Sequence, residues 1–214
     1  MQLTADFLGM SALVAIISYL IGSVSFAVII SRTFEKEDIR NFGSGNAGMT
    51  NILRNYGKKL AVLTAVGDFG KALVAVALGR LLYQMAGITQ SDGGYIAGLC
   101  VILGHLYPVF FKFKGGKGVL TSLGVILILN PWVFLMLVVL LLPFVLIVKI
   151  VSLTVLIGYI LFPIFTYFVS RAQGAPVVSN VIFALMISAM GAYAHRENIQ
   201  RLRNGTEYRF GEKK

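Results

Sequence analysis

Three glycines and a lysine form a short polar loop, Gly115-Gly116-Lys117-Gly118, between two strongly apolar stretches. Glycine lets backbone N–H groups approach an anion closely, and lysine adds a point charge. Gly118 opens the next apolar stretch, where a helix N-terminus would offer unpaired N–H groups to an anion. The G-x-x-x-x-G-K-[ST] pattern of a P-loop is absent. The loop, with Lys114 beside it, therefore predicts another kind of phosphate site. The alternative is that the lysines anchor the chain at lipid headgroups and the glycines only make a turn.

A second glycine-rich stretch, residues 43–48, reads Gly-Ser-Gly-Asn-Ala-Gly. It matches G-x-G-x-x-G, but a dinucleotide site also needs a preceding strand within a βαβ unit, and no strand is predicted. The composition still suits an anion, because amides, hydroxyls, carboxamides and an arginine that can bind phosphate bidentately lie close together. The alternative is a flexible connector whose arginine contacts headgroups. The candidate residues here are Gly43, Ser44, Gly45, Asn46, Thr50, Asn51 and Arg54.

The last polar segment begins at His195 and offers a candidate for proton transfer. Histidine has an ordinary pKa that suits proton transfer near neutral pH. If the preceding helix continues, His195 and Asn198 share one face, and Arg201 extends it. The alternative is a basic tail lying on anionic lipid, an interpretation that we favour for the following basic residues. These are Arg203, Arg209, Lys213 and Lys214.

Four further positions have structural interpretations. Ser152 is best explained as a helix N-cap, but it faces the same compartment as the motifs and stays among the candidate binding residues. His105, within an apolar helix, is more readily a hydrogen-bonded structural residue than a ligand. Asp68 and Lys71 are three residues apart, so we expect an internal ion pair between them.

The composition identifies an integral membrane protein. Hydrophobic residues make up 57% of the 214 residues and charged residues 13%, against roughly 25% charged residues in a soluble domain. The net charge of +10 does not indicate nucleic-acid binding, because the basic residues cluster between apolar runs. Two histidines, one cysteine and one acid within a span make no credible metal site, and no cofactor is expected.

The apolar runs predict an all-α polytopic membrane protein with seven transmembrane helices in a single domain, 1–214. A span needs about 20 residues, so at the short fourth run either the bilayer is thinner or the glycine loop before it lies within the membrane face. Sixteen of the nineteen basic residues then share one side. The positive-inside rule puts the N-terminus outside, and puts the C-terminus and the polar motifs on the cytoplasmic side. The first run is predicted to be a retained span and not a cleaved signal. The predicted spans are 8–30, 59–82, 94–111, 118–130, 132–149, 152–170 and 178–194.

Three motifs carry a resemblance to a known family. They are GSGNAGMTNILR from Gly43, GHLYPVFFKFKGGKGV from Gly104 and HRENIQRLRNGTE from His195. Together they closely resemble the bacterial acyl-phosphate:glycerol-3-phosphate acyltransferase family, the small polytopic PlsY type. The resemblance covers almost the whole chain and implies seven spans with the N-terminus outside, in the bacterial inner membrane.

The resemblance implies transfer of a fatty acyl group from acyl phosphate to glycerol 3-phosphate, which gives lysophosphatidic acid and phosphate. Neither acyl-CoA nor acyl carrier protein would be the immediate donor, and no cofactor is implied. The implied partners are glycerol 3-phosphate, acyl phosphate, membrane lipid and, transiently, the enzyme that forms acyl phosphate, but not nucleic acid. The alternative function is a membrane transporter for an organic phosphate anion. It is disfavoured because the motifs share one face and no inverted repeat is visible.

The resemblance also suggests roles for the candidate residues. Acyl phosphate is an activated anhydride, so direct attack by the substrate hydroxyl needs only positioning and electrostatic stabilisation. Glycerol 3-phosphate would be held by Ser44, Arg54, His195 and Asn198, and acyl phosphate by Lys117 with the 115–118 amides. Either His195 or a substrate phosphate oxygen would accept the proton. The catalytic candidates are His195, Asn198, Ser44 and Lys117. The binding candidates are Gly43, Gly45, Asn46, Thr50, Asn51, Arg54, Lys114, Gly115, Gly116, Gly118, Ser152 and Arg201.

Overall fold

The computed structural model describes residues 5–210, and every regular element in that range is helical. The all-α prediction is therefore confirmed for the described residues. In chain order the α-helices are α1 Ala5–Gly22, α2 Phe26–Ile30, α3 Met49–Tyr56, α4 Lys58–Met85, α5 Gly93–Leu106, α6 Val119–Leu129, α7 Pro131–Val148, α8 Val151–Ala172, α9 Val177–Ala194 and α10 Arg196–Arg203. A π-helical turn, Ser31–Glu35, follows α2, and 3₁₀ turns cover Ile39–Asn41 and Val109–Phe111.

Six helical segments among the described residues are long and apolar enough to cross a membrane, so the protein is a multi-pass membrane protein. They coincide with six of the seven predicted spans. The predicted fourth span corresponds to α6, which has only 11 residues and covers about 16 Å at 1.5 Å per residue. The count of seven crossings and the orientation of the chain therefore stay predictions.

The first predicted span, 8–30, is not one continuous helix. The α-helical backbone stops at Gly22 and resumes at Phe26. Near the break, the Ser23 hydroxyl donates to the Tyr19 carbonyl at 2.9 Å. The ammonium group of Lys71 donates hydrogen bonds to the carbonyls of Gly22 and Val24 at 3.0 and 2.8 Å. Because these partners satisfy backbone groups that a broken helix would leave unpaired, the chain can bend here without losing hydrogen bonds.

The chain divides into two compact units, one ending at Leu129 and the other beginning at Asn130. In the first unit, α4 packs against α1, α5 and α6, and α1 packs against α5. Small residues permit the close approach of α1 and α5, since a side chain at Gly22 would collide with the Val101 carbonyl and one at Gly104 with the Tyr19 carbonyl. The prediction of a single domain stays a prediction.

The second unit contains α7, α8, α9 and α10. Helix α8 packs against both α7 and α9. A side chain at Gly191 of α9 would collide with the ring of Tyr159 on α8, so glycine is what lets this ring pack against the neighbouring helix. Much of α7 presents large exposed apolar side chains, among them Leu142, Leu146 and Ile147, as a lipid-facing helix should.

Candidate active site

Asn51 organises the first glycine-rich loop, residues 43–48. The side chain is buried on α3. Its Nδ2 donates at 2.9–3.2 Å to three backbone carbonyls, those of Ile39, Phe42 and Asn46. Its Oδ1 accepts from the Ser44 amide at 3.2 Å and from Asn55 Nδ2 at 3.0 Å. These bonds use the hydrogen-bonding capacity of the carboxamide. The Asn51 carboxamide holds the loop in shape, and its predicted contact with substrate stays a prediction.

The backbone of this loop is largely bonded to itself. Gly43 and Gly45 adopt positive φ angles of 58° and 69°, a region that favours glycine. The Gly45 N–H donates to the Phe42 carbonyl at 3.0 Å, and the Gly48 N–H donates to the Asn46 carbonyl at 3.1 Å. These two amides maintain the turn, and the assignment of Gly45 to substrate binding stays a prediction.

The side chains of this segment differ in exposure. Ser44 and Arg54 are exposed, whereas Asn46 and Thr50 are half-buried. Gly43 is exposed but cannot accept a side chain, because a Cβ there would collide with Asn51. Ser44 and Arg54 are therefore the most solvent-accessible polar candidates of this segment, and their role in binding stays a prediction.

The second loop, residues 115–118, is fixed against the end of α5. The Gly116 N–H donates to the His105 carbonyl at 3.1 Å. This bond occupies one of the amides that the sequence assigned to phosphate. A side chain at Gly115 would collide with that same carbonyl. Gly118 has φ 77° and immediately precedes α6. Lys114 is exposed and Lys117 is half-buried.

The two glycine-rich loops meet within the first unit. The Ala47 N–H donates to the Gly115 carbonyl at 3.4 Å. Arg40 adds a second connection, because its Nη1 donates to the carbonyls of Phe111 and Lys114 at 2.7 and 3.3 Å. The structure thus brings together two motifs that are about 70 residues apart in sequence.

Asp38 holds Arg40 in place, and sequence reasoning missed this pair. Asp38 Oδ2 lies 2.8 Å from Arg40 Nη2. The hydrogen bond from the Arg40 side chain keeps the pKa of Asp38 well below its ordinary value, although burial opposes the shift. The carboxylate stays charged over the physiological pH range and keeps the guanidinium directed at the second loop.

A buried cluster lies beside the second loop, on α4 and α5. Lys71 Nζ is 3.0 Å from Asp68 Oδ1, and both side chains are almost fully buried. His105 Nδ1 lies 3.0 Å from the same Nζ. The predicted ion pair is confirmed, and His105 is hydrogen-bonded as predicted. Pairing offsets the cost of placing these charges inside a membrane-spanning segment.

Glu207 gathers three predicted site residues in the second unit. Its Oε1 accepts from the Ser152 hydroxyl at 2.9 Å and from Asn198 Nδ2 at 2.7 Å. Its Oε2 accepts from Arg201 Nε at 2.8 Å. Burial alone would raise the pKa of Glu207, but the hydrogen bonds from Arg201, Asn198 and Ser152 outweigh it and lower the pKa. Glu207 was not among the predicted residues.

One local prediction in this unit is wrong, and the condition placed on a second is not met. Ile150, and not Ser152, occupies the N-cap of α8, and Ser152 lies inside the helix with its hydroxyl directed at Glu207. The helix before His195 does not continue through it, because His195 closes α9 and begins α10. Asn198 and Arg201 still share one face of α10, since both reach Glu207.

His195 is buried, and its ring orientation is fixed. Nδ1 lies 2.8 Å from the Gly191 carbonyl. A carbonyl only accepts, so Nδ1 carries the hydrogen and Nε2 keeps its lone pair. The ring of Tyr159 packs edge-on against the imidazole, with ring centroids 6.0 Å apart. The Gly191 carbonyl and the Tyr159 ring together hold the imidazole in one orientation.

The candidate residues therefore fall into two groups. The first unit joins the 43–48 loop to the 115–118 loop, and the second joins Ser152, Asn198 and Arg201 through Glu207, with His195 at the start of α10. Within residues 5–210 no group of three or more histidine, cysteine, aspartate or glutamate side chains could hold a metal ion. Of the predicted basic tail, Arg203 and Arg209 are exposed, whereas Lys213 and Lys214 lie outside the described residues.

Known proteins match this chain over nearly its whole length. The family model described as glycerol-3-phosphate acyltransferase matches residues 12–205. A glycerol-3-phosphate acyltransferase of Clostridioides difficile is 41% identical, covering 94% of this chain and 96% of its own. One from Neisseria meningitidis is 43% identical, covering 92% of this chain and 96% of its own.

Two solved structures share the fold. Both are crystal structures of PlsY, an integral membrane glycerol 3-phosphate acyltransferase. The glycerol 3-phosphate form has a TM-score of 0.81 at 39% identity and covers 94% of this chain and 96% of its own. The lysophosphatidic acid form has a TM-score of 0.79 at 38% identity, covering 94% and 95%.

Proposed function

This chain belongs to the glycerol-3-phosphate acyltransferase family, and from that premise we propose that it transfers the acyl group of acyl phosphate to glycerol 3-phosphate. The products are lysophosphatidic acid and inorganic phosphate, in the first acylation step of phospholipid biosynthesis. Structures of the related PlsY in a glycerol 3-phosphate form and a lysophosphatidic acid form support this acceptor and product. The reaction takes place at the cytoplasmic face of the bacterial inner membrane.

The observation that carries the proposal is the joining of the 43–48 and 115–118 loops by backbone hydrogen bonding. Ser44 on the first loop, Arg54 on the following helix α3, Lys117 on the second loop and Lys114 beside it supply a hydroxyl and three cations. Two phosphate-bearing substrates bring several negative charges together, so a site of this charge lowers their mutual repulsion. From the family resemblance, glycerol 3-phosphate is assigned to Ser44, Arg54, His195 and Asn198, and acyl phosphate to Lys117 and the 115–118 amides.

The transfer needs no covalent enzyme intermediate. A hydroxyl oxygen of glycerol 3-phosphate attacks the acyl carbonyl carbon, a new ester C–O bond forms, and the C–O bond to phosphate breaks. The phosphate leaves with the bonding electron pair. The hydroxyl proton passes either to His195 Nε2 or to a phosphate oxygen of the substrate. The protein contributes positioning and charge stabilisation.

Replacing His195 with Gln tests the proton acceptor. Glutamine reaches a similar position and can hydrogen-bond, but it does not take up a proton. If His195 is the base, we expect kcat to fall by about 10²–10⁴ while the KM for glycerol 3-phosphate changes little. Wild-type kcat at saturating substrate would assign the proton to the substrate phosphate.

The proposed reaction is tested by phosphate release from purified protein. Release should require acyl phosphate and glycerol 3-phosphate together, and lysophosphatidic acid should form in equal amount. Acyl-CoA in place of acyl phosphate is the matched control and should give no product. Product formation from acyl-CoA, or no release with both proposed substrates, would overturn the donor assignment.

A further inference from the structure

The buried cluster of Asp68, Lys71 and His105 lies inside membrane-spanning helices, and the reaction scheme above gives it no role. Lys71 Nζ has four neighbours within hydrogen-bond distance. They are the carbonyls of Gly22 and Val24 at 3.0 and 2.8 Å, Asp68 Oδ1 at 3.0 Å and His105 Nδ1 at 3.0 Å. An ammonium group offers three hydrogens and no lone pair. Its three hydrogens go to the carbonyls of Gly22 and Val24 and to His105 Nδ1, while Asp68 Oδ1 pairs with the charge without a hydrogen bond of its own.

This requirement decides the tautomer of His105. Because Nδ1 accepts from Lys71, its hydrogen resides on Nε2. Asp68 Oδ1 is 3.5 Å from Nδ1, which is too far to compete with the 3.0 Å contact to Lys71. The ion pair with Asp68 favours the charged form of Lys71, and the charged lysine in turn holds His105 in the Nε2–H form.

The Nε2–H group of His105 faces the second glycine-rich loop. A side chain at Gly116 would collide with Nε2, so this atom lies directly against the loop backbone. The His105 carbonyl also accepts the Gly116 N–H at 3.1 Å. His105 thus contacts the loop through both its main chain and its ring, and His105 itself is 6% exposed.

We propose that His105 is a positioning residue for the 115–118 loop and that the Asp68–Lys71 pair holds its imidazole in the Nε2–H tautomer. This inference rests on the proposed function, because it assigns to His105 the placement of the loop that holds the acyl phosphate. It also separates the two histidines of the chain. His195 carries its hydrogen on Nδ1, and His105 carries it on Nε2.

Nitrogen-15 NMR of histidine-labelled protein tests the tautomers directly. The chain has two histidines, so His195→Gln and His105→Asn each leave one signal and assign the other. We expect the wild-type His105 to show the Nε2–H pattern. The double variant Asp68→Asn/Lys71→Met, which removes both charges together, should release it into a mixture of tautomers. An Nδ1–H pattern for His105 in the wild type would overturn the inference.

Kinetics test the effect on the loop. His105→Asn retains a polar group near the Nδ1 position for Lys71 but removes the ring under Gly116. We expect the KM for acyl phosphate to rise about tenfold, with kcat and the KM for glycerol 3-phosphate much less affected. Arg80→Gln is the control. It breaks an ion pair between Arg80 on α4 and Asp92 before α5, and it should keep the wild-type KM for acyl phosphate.

The outcomes distinguish this inference from the proposed function. An inactive wild-type protein would contradict the acyl phosphate reaction itself. An active wild-type protein whose His105→Asn variant keeps the wild-type KM for acyl phosphate would contradict only the role of His105. A fall in folded yield shared equally with Arg80→Gln, with unchanged KM values, would likewise overturn positioning.

Discussion

Glu207 shows how one side chain can assemble residues that the sequence separates. Its two carboxylate oxygens accept hydrogen bonds from Ser152 on α8 and from Asn198 and Arg201 on α10. The side chain of Glu207 is 6% exposed in this pairing. The acid therefore fixes the position of Asn198, which we assign to glycerol 3-phosphate, without being assigned to the substrate itself.

The lowered pKa of Glu207 predicts a pH dependence of stability. The folded-state pKa lies below the ordinary value of an unfolded chain. The charged carboxylate therefore stabilises the fold at pH values above that ordinary pKa, and this stabilisation is lost as the pH falls through the folded-state pKa. Glu207→Gln should lower the free energy of unfolding at pH 7 by about 1–3 kcal/mol. Thermal unfolding in detergent should show this difference shrinking at acidic pH. A difference independent of pH would contradict the assignment.

Lys117 is expected to act on the acyl donor alone. Removing a charged hydrogen-bond donor costs about 1.5–3 kcal/mol, so Lys117→Ala should lower kcat/KM for acyl phosphate roughly ten- to hundredfold. Lys112→Ala, an exposed lysine of the same segment, is the matched control. Steady-state kinetics with each substrate varied in turn make the measurement, and equal effects of the two variants would remove Lys117 from the site.

The sequence predicts which residue types form the candidate site better than it predicts what each residue does there. The Asp68–Lys71 pair followed from helical spacing. Glu207 did not, because an acid in a basic polar tail looks like a surface residue until the fold brings three donors to it. Asn51 was identified as polar and important, but only the structure shows that its carboxamide is committed to backbone groups.

The glycine-rich loops depend on the absence of side chains at defined points. Gly116 lies between His105 Nε2 and the Ala47 carbonyl, and a Cβ there would collide with both. One of these atoms belongs to the first loop and the other to α5. Gly116 of the second loop therefore lies where both loops contact the end of α5.

Gly116→Ala should therefore abolish activity by separating the loops. Gly70→Ala is the matched control, because a Cβ at Gly70, within α4, meets no atom within 4 Å. Alanine also favours a helix over glycine by about 1 kcal/mol. Acyl transfer and melting temperature should be measured for both variants. Wild-type activity of Gly116→Ala would show that the loops do not need this contact.

Helix positions followed well from the apolar runs, and helix interruptions did not. The run through residues 8–30 contains no charge or proline to announce the break after Gly22. That break depends on Lys71, a residue of another helix. The interruption at His195 likewise separates two helices that the sequence joins into one.

The crossing number of the whole chain depends on α6. If this short helix crosses the membrane, Thr89 and Arg203 lie on opposite sides. Both positions are exposed, so each can be replaced singly with cysteine in a Cys100→Ser background. An impermeant maleimide should label Arg203→Cys from the cytoplasmic side and Thr89→Cys from the outside. Labelling of both from one side would contradict the seven-span topology.

The ammonium group of Lys71 also couples the membrane insertion of the first helical segment to that of α4. It supplies hydrogen bonds to the carbonyls of Gly22 and Val24 across 49 and 47 residues of chain. A nascent chain that has inserted the first helical segment but not α4 would hold those carbonyls in lipid without this donor, a costly state. Conversely, α4 would enter the bilayer with a lysine that lacks its acceptors. The first span and α4 are therefore most stable when they insert together, as a helical pair.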